Sequence, residues 1–141
     1  IIGLARGIVV VMDAGKIPDT ILHWAEVSVA GLSEVVFVNV IYWIEVLLSF
    51  FVPSSSGLAV LSMPIMAPIA DFAGVGRELV VTAYQSANGI VNLITPTFAV
   101  VMGALAIGRV PYERWLAFIW PLLLILTVII MASLSVATLI A

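Results

Sequence analysis

The sequence predicts an all-α polytopic membrane protein, and three observations carry that reading. Of the 141 residues, 64% are hydrophobic and 9% charged, against roughly 25% charged in an average soluble domain. Mean hydropathy is +1.31. The apolar stretches have helical lengths, and two of them are interrupted in mid-stretch by Pro, Gly, Ser or Thr. In the hydrocarbon interior an unpaired backbone N–H or C=O costs several kcal/mol. Irregular backbone survives there only where protein buries it or where water and ligand reach it. The net charge of −3 argues against a nucleic-acid partner, which demands a basic face. The lack of Cys removes disulfides and thiolate metal sites.

Residues 1–12, IIGLARGIVVVM, are too few to span a core that takes about 20 helical residues. They read as the end of a transmembrane helix, with no signal-peptide pattern, in the C-terminal part of a longer protein. Residues 13–34 gather Asp13, Lys16, Asp19, Glu26 and Glu34 around His23 and Trp24. Ile17, Ile21, Leu22, Ala25, Val27 and Ala30 partly follow a helical spacing, so this segment is expected to lie along the membrane interface until Gly31 and Ser33 end it.

The next unit, 35–70, reads as a re-entrant helical hairpin with its tip at 53–57. Its first arm, VVFVNVIYWIEVLLSFFV, is roughly 27 Å long as a helix. Pro53 interrupts it, followed by Ser54, Ser55, Ser56 and Gly57. The return stretch LAVLSMPIMAPIA, 58–70, carries Pro64 and Pro68 and is short for a full span. After a charged loop at 71–78, residues 79–108 contain no charge at all. That stretch reads as a transmembrane helix broken at 92–97, because Pro96 cannot donate to the helical ladder and disfavours helix at Thr95. Gln85 and Asn88 precede the break and are candidate lining residues. The loop 109–114 holds two Arg residues and is expected to face the cytoplasm, and 115–141 is a last transmembrane helix.

The two breaks share one electrostatic pattern. An arm ending near Val52 points carbonyls at the first turn, and an arm starting near Gly57 points N–H groups at it, with Ser55 or Ser56 as N-cap. A carbonyl end near Val91 and an N-terminus at Phe98 capped by Thr97 repeat this at the second. If the breaks meet at the midplane, they offer oxygens to a small cation such as Na+ near Ser55 and Thr95, and donors to a carboxylate, as in transporters with discontinuous helices. The alternatives are an ordinary loop for PSSSG and a Pro-kinked packing helix for NLITPT. The coincidence of both breaks favours a joint site. Glu45 and Arg6 are ionisable at membrane depth, where such residues face a cavity or each other. They read either as an ion pair or as coupling groups.

The stretches IIGLARGIVVVM, FVPSSSGLAVLSMPIMAPIADFAGVGRE, TAYQSANGIVNLITPT and VPYERWLAFIWPLLL resemble the C-terminal part of the YfcC family of basic amino acid antiporters, neighbours of the anaerobic C4-dicarboxylate carriers. The resemblance covers nearly the whole chain. It implies the ion transporter superfamily fold, built from two inverted repeats that each hold a re-entrant hairpin and a broken helix. By this resemblance, Pro53 to Gly57 matches the outer hairpin tip of the second repeat and Asn92 to Thr97 its unwound helix. Sodium-coupled dicarboxylate symporters of the superfamily carry Ser-Asn-Thr at such tips, whereas this chain has Ser54, Ser55 and Ser56. The coupling ion, Na+ or H+, stays open on that account.

The expected function is secondary active transport of a small carboxylate-bearing solute, an amino acid or a C4-dicarboxylate, by alternating access. The expected substrate- and ion-binding residues are Ser54, Ser55, Ser56, Gly57, Asn92, Thr95, Pro96 and Thr97. No enzyme is expected: nucleophilic catalysis needs a base near the serine, the one His lies in the interfacial segment, and no G-x-S-x-G elbow occurs. No cofactor is expected. The expected partners are the substrate, the lipid bilayer, the absent first repeat and a second copy in a homodimer, within a bacterial inner membrane. The alternative is a non-transporting membrane assembly or channel module.

Overall fold

The computed structural model of the chain describes residues 31–52 and 54–140, with isolated positions 7, 10, 11, 14, 15, 23 and 27 before them. The predicted helix end at 1–12, with Arg6, and nearly all of the 13–34 interfacial segment lie outside the described residues.

Five helices follow in order: α1 (Glu34–Phe51), α2 (Ser55–Phe72), α3 (Arg77–Ile94), α4 (Ala99–Gly108) and α5 (Tyr112–Ile140). Taking α3 and α4 as one apolar segment, four helical spans among the described residues are long and apolar enough to cross a membrane. Helix α1 starts after Ser33 with Glu34 in its first turn, where a negative charge complements the helix dipole. Its buried residues, Phe37, Val38, Ile41, Tyr42, Glu45 and Ser49, recur three to four positions apart and so form one stripe. Trp43, Leu47, Phe50 and Phe51 point outward and stay exposed, as a lipid-facing surface requires.

The stripe on α1 packs mainly against α3. Fully buried Val80, Ala83 and Ala87 line the α3 side, and the two alanines allow the backbones to approach closely. Helix α5 closes the bundle against both. Asn39 Nδ2 donates to Ser135 Oγ at 3.0 Å and so ties α1 to α5.

Sequence and structure differ over α2. The sequence places the return arm at 58–70 and takes its brevity as the mark of a re-entrant arm. The helix runs instead from Ser55 to Phe72, 18 residues, about 27 Å long. Ser54 caps it, so Ser55 and Ser56 enter its first turn, and its two internal prolines do not end it. Length alone therefore does not separate a re-entrant arm from a spanning one. The helix ends in a Schellman turn: Gly74 takes φ 71°, Gly74 N–H donates to Asp71 O and Val75 N–H to Ala70 O. Left-handed backbone of this kind suits a residue without Cβ. Across this loop Arg77 Nε donates to Asp71 Oδ1 at 2.9 Å, an exposed pair worth little to stability.

The helix ends also shift slightly from their predicted positions. Helix α3 runs to Ile94, so the break covers 95–98 and Asn92 lies in the last helical turn. Helix α5 begins at Tyr112 rather than at Trp115.

Candidate functional site

The first interruption is tight. Ser54 N–H donates to Val52 O at 2.8 Å, and Ser54 Oγ accepts from Gly57 N–H at 3.3 Å. The cap is thus Ser54, not Ser55 or Ser56, because the chain turns back one residue earlier than the sequence suggests. A Ser in extended backbone at this position accepts from N3 and satisfies one of the free donors of the first turn. Ser55 and Ser56 are exposed, Ser54 is half-buried and Gly57 is buried. From α3, the Tyr84 hydroxyl donates to the Ser55 carbonyl and fastens the tip to the bundle.

The second interruption follows from Pro96. In an uninterrupted helix, residues 96, 97 and 98 would donate to the carbonyls of Asn92, Leu93 and Ile94. Pro96 has no N–H, and Thr95 adopts φ −69°, ψ 129°, which is extended backbone. Three carbonyls lose their helical donors in consequence. Two of them regain donors from the start of α5: Trp115 Nε1 donates to Leu93 O at 2.9 Å, and the Tyr112 hydroxyl donates to Ile94 O. Phe98 N–H turns back to Thr95 O at 3.2 Å.

The third carbonyl, that of Asn92, receives no hydrogen bond among the described residues. Its side chain extends the pattern. Asn92 Nδ2 donates to Asn88 Oδ1 at 2.8 Å, while Asn92 Oδ1 is buried without a partner among the described residues. Two acceptors of one residue are therefore open at the break. Beside them, Thr95 is fully buried and its hydroxyl lies 2.9 Å from that of Thr97. Thr97 does not cap α4 as expected. Phe98 holds the N-cap position, and its ring has no acceptor to offer, while the Thr97 hydroxyl is turned towards Thr95. Among the described residues the first N–H groups of α4 have no side-chain acceptor.

The other predicted residues are scattered. Gln85 is exposed, and Asn88 is buried. Glu45 is fully buried on α1. Among the described residues no hydrogen bond joins 54–57 to 92–97, and α2 shares no extended packing interface with α4. A groove of about 600 Å³ runs along α2 between Ala59 and Pro68 and reaches Arg77, but none of the predicted site residues lines it. Tyr84, Tyr112 and Trp115 were absent from the sequence expectation although each holds a carbonyl at an interruption. The available signal was a polar handle on a large ring inside or beside an apolar stretch, which when buried finds a partner.

A family model described as DcuC, C4-dicarboxylate anaerobic carrier, matches residues 1–139. The chain belongs to this family. The DcuC family is one of transporters, not of enzymes, and with four candidate spans this member is an integral, multi-pass membrane protein. It is 43% identical over 123 residues to an uncharacterized protein of Haemophilus influenzae, covering 87% of this chain. It is 35% identical over 121 residues, 82% of this chain, to an Escherichia coli protein named "Putative basic amino acid antiporter YfcC". The matched region spans 24% of the length of each of these relatives. No solved structure matches the chain.

Proposed function

We propose that this chain is the second inverted repeat of a secondary active transporter that carries small carboxylate-bearing solutes, amino acids or C4-dicarboxylates, across a bacterial inner membrane. The observation that carries this reading is the break after α3. There the open Asn92 carbonyl and Oδ1 can receive a cation such as Na+, with the Thr95 hydroxyl beside them, and the uncapped N-terminus of α4 can receive a carboxylate through its N–H groups and dipole. The cation would be met by one backbone carbonyl and two side-chain oxygens and the carboxylate by backbone N–H groups, all at a break in an apolar span, as in transporters with discontinuous helices.

In this reading α1 and α2 form the re-entrant hairpin, and Ser54 to Gly57 supply the second polar element. The first repeat, outside this chain, supplies the facing half. The hairpin and the broken helix move together against a scaffold, so that the bound solute is exposed first to one side and then to the other. The two-arginine loop at 109–114 would face the cytoplasm. The E. coli relative's name points to amino acids and the family description to dicarboxylates. Both substrate classes carry the carboxylate that the α4 N-terminus favours.

Uptake by the full-length protein in vesicles tests this. Amino acids and dicarboxylates are screened with imposed sodium or proton gradients, in the wild type and in Ser55→Ala and Thr97→Ala. One solute class is expected to accumulate, and the Thr97 variant, which loses the hydroxyl that meets Thr95, to slow about two- to tenfold, the worth of one neutral hydrogen bond. Wild-type rates in both variants would refute the site assignment.

A further inference from the structure

Glu45 is fully buried in the middle of α1, and neither carboxylate oxygen has a hydrogen-bond partner among the described residues. Ser49 follows one turn later on the same face, also fully buried. Ser62, 2% exposed, approaches the carboxylate from α2. Counted from the turn, Glu45 and Ser62 each lie about 10–12 Å along their arms, so the hairpin brings them to the same depth.

The two serine hydroxyls are unpartnered among the described residues. A Ser or Thr in a helix can satisfy itself by donating to the carbonyl four residues back. Ser135 and Thr138 both do so at 2.7 Å, and Thr82 does so at 2.8 Å. An ionised carboxylate left alone in such surroundings is prohibitively costly, so it must be neutralised by a bound or neighbouring positive charge.

We propose that Glu45, Ser49 and Ser62 form a monovalent-cation site between the two hairpin arms, with the Glu45 carboxylate as its charged ligand and the two hydroxyls completing it. A proton or Na+ fits this hard-oxygen set, and either one neutralises the carboxylate. The site is separate from the open acceptors of Asn92, and that cation binds here does not depend on the transport reading. Its use as the coupling site rests on that reading. The groups packed around Glu45 leave it few competitors. On α3 the titratable neighbour is the Tyr84 phenol, which donates to the Ser55 carbonyl. On α2 the one ionisable residue, Asp71, is paired with Arg77 at the far end, and α5 has no ionisable side chain beyond Arg114.

Infrared spectra of the full-length protein in lipid test the proposal without any transported substrate. One series varies pH in choline chloride, and a second varies NaCl at fixed pH. The proposal predicts a carboxyl signal that responds to one of the two cations and is lost in Glu45→Gln. A response to pH assigns a proton, and a response to NaCl assigns Na+. Ser62→Ala and Ser49→Ala keep the carboxylate and are each expected to move the midpoint about tenfold, since each removes one oxygen ligand of the bound cation, worth about as much as a hydrogen bond to a charged group. They serve as the test if Glu45→Gln does not fold. Identical responses in the wild type and all folded variants would overturn the proposal. So would a carboxylate that stays ionised in both series and changes only in Arg6→Gln, the mark of a permanent ion pair.

Discussion

Replacing Tyr112 and Trp115 together by Phe is expected to destabilise the full-length protein by about 2–6 kcal/mol. Each substitution keeps an aromatic ring but removes the donor that satisfies Ile94 O or Leu93 O. A carbonyl stripped of its donor costs about 1–3 kcal/mol where no other donor reaches it. Thermal unfolding of the purified protein in lipid nanodiscs reads the loss directly. Trp120→Phe is the control, because Trp120 is more than half exposed on the outer side of α5. The double variant should unfold well below this control. Equal unfolding temperatures would mean that the freed carbonyls find other partners and that α5 does not hold the break open.

The second large effect is functional. Thr95→Val keeps shape and burial but removes the hydroxyl that meets Thr97. Helix α3 already ends at Ile94 because of Pro96, so the fold should survive the change. The hydroxyl is one of the few polar groups beside the open Asn92 acceptors, and losing one charge-assisted bond is worth about 1.5–3 kcal/mol. Uptake in vesicles should therefore fall at least about tenfold at unchanged protein level. Wild-type uptake by Thr95→Val would place the solute and the ion elsewhere.

Much of the bundle was legible in the sequence because apolar runs, prolines and charged loops mark the ends of membrane helices plainly. The break after α3 could be read from Pro96 alone, since a missing N–H and the restriction on Thr95 are local chemistry. The capping residues were less legible. Whether Ser54, Ser55 or Ser56 caps α2 depends on where the chain turns, and three identical side chains cannot signal that. The Thr97 expectation failed for a related reason, because a hydroxyl two residues away outcompetes the helix end for it. Helix α2 is longer than its apolar run because Ser55 and Ser56 enter its first turn and Pro64 and Pro68 do not end it, as membrane helices can tolerate internal prolines. Most hidden were the long-range partners. Nothing near Leu93 or Ile94 in sequence announces that Tyr112 and Trp115 will fold back to bond them.

In the proposed transport cycle the segment around Thr97 lines a path that opens to both sides of the membrane in turn. Thr97 is exposed, so Thr97→Cys in an otherwise cysteine-free full-length protein gives a direct probe. Membrane-impermeant thiol reagents are applied from each side of sealed vesicles, with and without the solute identified by the uptake screen. Alternating access predicts labelling from either side and protection by the solute. Labelling from one side only, unchanged by solute, would contradict it.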